Sequence, residues 1–151
     1  VFVRTYVSTP GAVGVIALTP DKQIVLVSQY RSSFDNFVLE IPAGMRDVDG
    51  EEPARTASRE LVEETGYIAA NVEFLGSCLS SPGVTDSVVE LFIARDVVVG
   101  DSAPEGPEEL EMAVLLVPFF EALRMVDEGE ITDSKSVIGI LLAARRFHDL
   151  G

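Results

Sequence analysis

The chain contains little cysteine, little histidine and few basic residues. Cys78 is the only cysteine among 151 residues, so no disulfide can form within the chain, which suits a reducing cytoplasm. The first residues lack the apolar core of a signal peptide, and no run of about 20 apolar residues could span a bilayer. From these absences we expect a soluble cytoplasmic protein without a membrane partner.

The shortage of basic residues leaves the chain strongly acidic. It has 25 acidic residues against 11 lysines and arginines, a net charge of −14. This charge repels nucleic acids and anionic membranes, so neither is an expected partner, whereas metal cations, basic partners or a small ligand are favoured. An anionic substrate requires metal ions and arginines at its site, because screening over roughly 8–10 Å makes local charges dominate.

Length and a hydrophobic content of 47% predict one domain over residues 1–151. Strands and helices mix without a strict βαβ alternation, which predicts an α+β fold with a mixed central sheet and helices on both faces. The expected strands are 2–7, 12–18, 24–31, 37–41, 72–79, 88–94 and 111–117, and the expected helices are 53–65, 118–129 and 132–148.

Acidic residues gather on the helix that should start at Pro53. A helical projection places Ala57 and Leu61 on the core-facing stripe, with Glu64 at its edge and Glu60 stacked one turn away. Two partly desolvated carboxylates this close are unfavourable unless a cation neutralises them. Oxygen ligands without nearby cysteine or histidine favour Mg²⁺, Mn²⁺ or Ca²⁺ over zinc.

A solvated acidic face is the alternative interpretation of this cluster, since acidic runs on helices are usually exposed. The position of Glu64 beside the core argues against it. Arg59 and Glu63 are spaced to form a pair on the same helix. In the preceding loop, Gly44 lets the backbone approach a ligand, and a carbonyl such as that of Ala43 could supply another metal oxygen.

Glu51, followed after seven residues by "RELVEETGY" (59–67), resembles the Nudix box, the signature of hydrolases acting on a nucleoside diphosphate linked to another group. The second half of the motif matches except that Tyr67 takes the aliphatic place. Six residues separate Gly44 from Glu51 instead of the usual five. The extra residue precedes the helix, so it leaves the helical spacing intact. The resemblance makes Glu51 a secondary acidic group or a helix-capping contact.

The resemblance implies a Nudix-type α/β/α sandwich and a set of metal ligands. Glu60 and Glu64 would be the principal ligands, and Glu63 a further ligand or a group that orients one. The backbone carbonyl of Ala43 would supply another oxygen. Arg59 would hold the glutamates through a salt bridge.

Segments outside the box, "PGAV", "QYR", "EIPAG", "SPGVTD" and "EGEITDSKS", resemble the ADP-ribose pyrophosphatase branch of the family. A proline that this branch carries 16 residues after Gly66 corresponds to Pro82. The resemblance implies Mg²⁺-dependent hydrolysis of ADP-ribose to AMP and ribose 5-phosphate, with Mn²⁺ as a substitute. The alternatives are another nucleoside diphosphate sugar, NADH, a dinucleoside polyphosphate, a non-catalytic nucleotide sensor, and an acidic scaffold whose glutamates are merely solvated.

Arg31 is the best basic candidate for contacting the diphosphate, because it lies at the polar end of its strand. An ordinary exposed arginine is the alternative at this position. Turn residues of the 80–87 loop and groups near the box complete the expected substrate site. These further substrate-binding candidates are Glu40, Gly44, Pro82, Gly83 and Asp86.

A glutamate on the loop after the box is implied as the base that takes a proton from the attacking water. Glu108 is the first choice, Glu109 the second and Glu111 the third. Leu110 occupies a place that is acidic in some relatives. Ser87 is a further departure, since relatives often carry an acid there.

The N-terminal region departs from relatives, in which a longer segment exchanges between the subunits of a dimer. Residues 1–10 could represent a remnant of it, and a homodimer is the expected assembly. His148, the only histidine, is interpreted as a helix-end residue and Cys78 as a small core residue.

Overall fold

The computed structural model describes residues 2–100 and 112–147. Its strands and helices alternate irregularly along the chain, as the sequence predicts. The strands are β1 (Ala12–Leu18), β2 (Gln23–Arg31), β3 (Asn36–Glu40), β4 (Ala43–Met45), β5 (Tyr67–Ile68), β6 (Glu73–Leu79), β7 (Val88–Arg95), β8 (Val98–Val99) and β9 (Ala113–Pro118), and the helices are α1 (Pro53–Thr65), α2 (Phe119–Asp127) and α3 (Ser134–Arg146).

A mixed sheet forms the centre, with strand order β3-β2-β1-β7-β6. Strands β1 and β7 run parallel, whereas β4 pairs with β1 and β9 pairs with β2 in antiparallel fashion. Alternate residues of β1 serve two cores, because successive side chains of a strand point to opposite faces. Val13 and Val15 pack with α1, and Ile16 and Leu18 pack with α2 and α3. The predicted sandwich is confirmed.

Helix α1 has the predicted bounds and the predicted buried face. Pro53 occupies its first turn, where the missing N–H removes no helical bond. Gly66 ends it in the left-handed conformation, with φ of 72°, and donates its N–H to the Val62 carbonyl. Ala57 and Leu61 are fully buried. The helix therefore lies against β1 and β4 with its glutamates beside the β4 backbone.

Helix α3 begins near the start of the predicted helix 132–148, where the side chain of its N-cap residue Asp133 accepts a hydrogen bond from the Ser136 N–H. It ends at Arg146, and His148 lies outside the described residues. Helix α2 ends at Asp127, slightly before the end of the predicted helix 118–129. In the described part of the chain, no helix has the length and apolarity needed to cross a membrane.

The predicted strand at 2–7 is wrong. This segment makes one isolated bridge, between Val7 and Thr85, and its Phe2 and Val3 side chains are almost fully exposed. An apolar alternation becomes a strand only where a neighbouring strand pairs with its backbone, and here the neighbour is the 80–87 loop. The short strands β4, β5 and β8 were not predicted, because two or three residues carry no readable period.

Candidate active site

Gly44 on β4 gives Glu60 the space it occupies. A Cβ built on Gly44 would lie 1.9 Å from Cδ of Glu60 and 2.2 Å from its Oε2. Any other residue would push the carboxylate away, so the glycine brings the β4 backbone into contact with the acidic face of α1. The side chain of Glu60 is only 13% exposed.

Glu64 lies one helical turn beyond Glu60 and is tied to the same strand. The N–H of Ala43 donates to its Oε2 at 2.9 Å. Burial raises the pKa of Glu64 to about 7, although the Ala43 hydrogen bond opposes this, and the charge of Glu60 adds to the rise. Burial also raises the pKa of Glu60. Both carboxylates thus lie where burial disfavours their charged forms.

Arg59 connects the remaining acids of the motif. Its Nη1 lies 2.8 Å from Oε1 of Glu60 and 2.8 Å from Oε2 of Glu63. Its Nη2 lies 3.3 Å from Oε2 of Glu51. Burial disfavours the charge of Arg59, but the hydrogen bond to Glu51 and the neighbouring acids raise its pKa above the ordinary value. Arg59 therefore pairs with Glu51, Glu60 and Glu63. Among the residues that the structure describes, Glu64 has no ion pair with a cation of α1.

The donor set fits a hard divalent cation. In residues 2–100 and 112–147, no three Asp, Glu, Cys or His side chains converge on one point suited to an ion. Two desolvated carboxylates nevertheless lie against the β4 backbone, Glu64 at Ala43 and Glu60 at Gly44, and all their ligand atoms are oxygens. An ion there would neutralise the pair once Glu60 turned from Arg59.

A second charged cluster joins β2, β3 and α3. Glu40, 3% exposed, accepts hydrogen bonds from Nε and Nη2 of Arg31 at 2.6 and 2.7 Å. Nζ of Lys135 donates to Oε2 of the same carboxylate. Burial alone would raise the pKa of Glu40, but the Arg31 hydrogen bonds and the Lys135 charge lower it below the ordinary value. The chain thus keeps a buried carboxylate ionised between two cations.

A cavity of about 610 Å³ opens beside this cluster. The charges of Glu40 and Lys135 act on Glu64, the first raising and the second lowering its pKa, so the cluster lies close to the acidic face of α1. The cavity combines cationic, hydroxyl and aromatic groups. Its lining residues are Arg31, Ser33, Phe34, Val38, Glu40, Thr132, Asp133, Ser134 and Lys135.

The predicted substrate residues of the 80–87 loop line another cavity, of about 620 Å³, formed with the N-terminal segment. Asp86 accepts hydrogen bonds from Oγ of Ser8 at 2.8 Å and from the N–H of Thr9 at 2.9 Å, and these bonds lower its pKa. Asp86 therefore fastens the N-terminal segment. A substrate role for Pro82, Gly83 and Asp86 stays a prediction.

The remaining sequence predictions concern the base candidates and Cys78. The base candidates Glu108, Glu109 and Glu111 lie outside the described residues. Cys78 on β6 packs against the core, as predicted, and burial raises the pKa of its thiol. Lys135 is the site residue that sequence reasoning missed, although it stands within the "EGEITDSKS" segment. The family resemblance of that segment pointed to this part of the chain. No short-range sequence pattern, however, indicates that Lys135 contacts Glu40, which is 95 positions away.

Comparison with known proteins agrees with this geometry. The NUDIX domain model matches residues 8–137. The chain is 40% identical over 137 residues to the methanol dehydrogenase activator of Bacillus methanolicus, covering 91% of this chain and 74% of that protein. It is 38% identical over 137 residues to the ADP-ribose pyrophosphatase of Bacillus subtilis (strain 168), with coverages of 91% and 74%. The crystal structure of an ADP compounds hydrolase shares the fold, with a TM-score of 0.81 at 21% identity over 93% of this chain and 74% of that chain. The prediction made from the box is confirmed, and the chain belongs to the Nudix family.

Proposed function

We propose that this protein is a Mg²⁺-dependent hydrolase that cleaves the diphosphate of ADP-ribose to AMP and ribose 5-phosphate. The observation that carries the proposal is the pair of desolvated carboxylates, Glu60 and Glu64, packed against β4 near the cations Arg31 and Lys135. The 38% identity to the ADP-ribose pyrophosphatase of Bacillus subtilis supports this substrate.

Glu60, Glu64 and the Ala43 carbonyl would hold Mg²⁺, and Mn²⁺ is expected to substitute. Glu63, with a side chain 44% exposed, would be a further ligand or would orient Glu60 through their shared partner Arg59. When bound, the divalent ion supplies positive charge that offsets the diphosphate and acidifies the attacking water. The raised pKa values of Glu60 and Glu64 fit this role, since a nearby cation favours their ionised form.

The remaining steps belong to side chains of the protein. Arg31 would bind a diphosphate oxygen with its guanidinium, and Arg59 would keep Glu63 and Glu60 oriented. Glu108 would accept the proton of the water as it attacks phosphorus, with Glu109 as the alternative. The rest of the substrate site would be formed by Pro82, Gly83 and Asp86 of the 80–87 loop and by Gly44. Gly44 would contribute by leaving space for the side chain of Glu60.

We further propose that residues 1–151 form one domain and that the protein works as a homodimer. Exposed apolar side chains on β9, those of Val114, Leu115 and Leu116, support an interface between copies.

A second candidate is regulation of a partner dehydrogenase. The 40% identity to a methanol dehydrogenase activator favours it. The two candidates are compatible if activation depends on hydrolysis. A non-catalytic sensor is disfavoured, because a sensor has no need of the intact glutamate pair.

The test is hydrolysis of a substrate panel by the purified protein with Mg²⁺, followed by detection of the phosphate that a phosphatase releases from the products. The panel contains ADP-ribose, other nucleoside diphosphate sugars, NADH and a dinucleoside polyphosphate. We expect kcat/KM for ADP-ribose to exceed the others by about tenfold or more. Equal turnover of unrelated sugars would reject ADP-ribose, and tight binding without cleavage would establish a sensor.

A further inference from the structure

The carboxylate of Glu40 is shared between two cations from distant parts of the chain. Its Oε1 accepts from Nε of Arg31, and its Oε2 accepts from both Nη2 of Arg31 and Nζ of Lys135. Because Oε2 serves both partners, the orientation of the carboxylate depends on both. A buried carboxylate is held in one orientation only where its partners are themselves fixed.

Lys135 is such a fixed partner. It belongs to the first turn of α3, and its Nζ also lies 3.0 Å from Oδ2 of the N-cap residue Asp133. In the same turn, Oγ of Ser136 accepts the N–H of Ile41 at 2.8 Å, which ties α3 to the residue after Glu40. The side chain of Lys135 is 14% exposed. The ammonium group of Lys135 is therefore held between Glu40 on β3 and Asp133 at the N-cap of α3.

Arg31 is the most exposed of the three residues in the cluster. Its side chain is 41% exposed and lines the 610 Å³ cavity. Glu40 engages Nε and Nη2, and in the part of the chain that the structure describes no acceptor meets Nη1. Nη1 is thus the group available to an anionic ligand. A flexible side chain binds more tightly when it is held in place beforehand, because less freedom is lost on binding.

We propose that Lys135 is a positioning residue: through Glu40, it holds the guanidinium of Arg31 in the orientation that receives the diphosphate of the substrate. This inference rests on the proposed function and adds to it a residue that does not itself touch the substrate. Lys135 acts by pinning Oε2 of Glu40, and Glu40 acts by occupying two of the three nitrogens of Arg31. Removal of Lys135 frees the Arg31–Glu40 pair to swing into the cavity together.

The first experiment measures Arg31 directly and needs neither metal nor turnover. The ¹⁵N–¹H resonance of its Nε–H, assigned by its absence in Arg31→Met, reports the hydrogen bond to Glu40. We expect Lys135→Met to broaden or abolish this resonance and Lys135→Arg to retain it, because a guanidinium also reaches Glu40 and Asp133. An unchanged resonance in Lys135→Met overturns the positioning role.

The second experiment is a double-mutant cycle with ADP-ribose and Mg²⁺. Lys135→Met should raise KM about tenfold and change kcat little, because the diphosphate contact is made in both the ground and transition states. In the Arg31→Met background the same change should have almost no further effect. If the increases in KM caused by Lys135→Met and by Arg31→Met multiply in the double mutant, Lys135 acts independently of Arg31. That result would overturn the proposal.

Arg145→Met is the matched control, since Arg145 is an exposed cation on the same helix. It should leave both the Arg31 resonance and KM unchanged. Thermal unfolding shows which variants fold, and Lys135→Arg supplies a variant that keeps the charge if Lys135→Met does not fold. Failure of the unaltered protein to cleave ADP-ribose overturns the proposed function. If the protein cleaves ADP-ribose but the effects of Lys135→Met and Arg31→Met are additive in free energy, only the role of Lys135 is overturned.

Discussion

The carboxylate of Glu60 fills the space that a side chain on Gly44 would need, with 1.9 Å between Cδ of Glu60 and a Cβ built on Gly44. This contact joins strand β4 to the acidic face of α1. Sequence reasoning assigned Gly44 to close approach of a ligand. The structure gives a more specific reason, since the glycine first admits the glutamate that would hold the metal.

Substitution of Gly44 by alanine tests this contact. We expect Gly44→Ala to fold with reduced stability and to lose turnover about 100-fold, because displacing a reacting group by about an ångström has an effect of that size. The measurements are kcat with ADP-ribose and Mg²⁺ and the midpoint of thermal unfolding.

Gly129→Ala is the control for stability alone. Gly129 has a φ of 77° with open space around its Cβ position, so alanine there strains the backbone by about 1–2 kcal/mol without touching the site. It should lower the unfolding midpoint and keep turnover. Full activity in Gly44→Ala would show that Glu60 need not occupy its observed position.

Neutralising the glutamate pair should remove activity without unfolding the protein. Glu60→Gln and Glu64→Gln keep the side-chain shape but remove the charge that binds a divalent cation, so we expect turnover to fall by orders of magnitude and Mg²⁺ affinity to fall with it. Chelation should abolish activity in the unaltered protein, and added Mg²⁺ should restore it.

Glu73→Gln, a change at an exposed acid at the start of β6, controls for the loss of one negative charge. It should leave turnover and Mg²⁺ affinity unchanged. Isothermal titration with Mg²⁺ and steady-state kinetics measure the two effects separately. Near-normal turnover in either active-site variant would exclude that glutamate as an essential ligand.

The acidic helix could be predicted from the sequence because its signals are local. Pro53, Gly66 and the buried stripe at Ala57 and Leu61 lie within one short segment, and each fixes the helix through its own backbone or side-chain chemistry. The spacing of Glu60 and Glu64 follows from helical geometry alone. Sequence reasoning therefore gave the bounds, the buried face and the expected ligand pair.

The second charged cluster could not be predicted in this way. Lys135 and Glu40 are separated by 95 positions in the chain, and only the packing of α3 onto the sheet brings them together. The wrong strand at 2–7 has a related cause, since a strand also depends on a distant partner for its backbone. Local sequence patterns thus predicted helix α1. They did not predict structure that depends on contact between segments far apart in the chain.

The ion pairs of Glu40 should make stability depend on pH in a defined direction. Because the folded-state pKa of Glu40 is lowered below 4.5, its stabilising contribution is present above the unfolded-state pKa and is lost as pH falls through the folded-state value. Breaking a buried pair of this kind costs about 3 kcal/mol. We expect Glu40→Gln to be less stable than the unaltered protein at pH 7, with the difference shrinking below pH 4.5.

Denaturant unfolding at a series of pH values measures this difference. Glu121→Gln serves as the control, because Glu121 pairs with Arg124 on the exposed surface of α2 and should contribute far less. A stability difference between Glu40→Gln and the unaltered protein that stays constant from pH 7 to pH 3 would show that ionisation of Glu40 does not stabilise the fold.

The proton acceptor is the last group to assign, and substitution within the 101–111 segment distinguishes the candidates. We expect Glu108→Gln to lower kcat by about 10²–10⁴-fold while Mg²⁺ affinity changes little, because a base acts on the water and not on the metal. Glu109→Gln should have a small effect. If the large loss appears only in Glu109→Gln, then Glu109 is the base. If neither variant loses activity, the proton leaves by another route, and the pH profile of kcat/KM for each variant would then show whether a group of different pKa has taken the role.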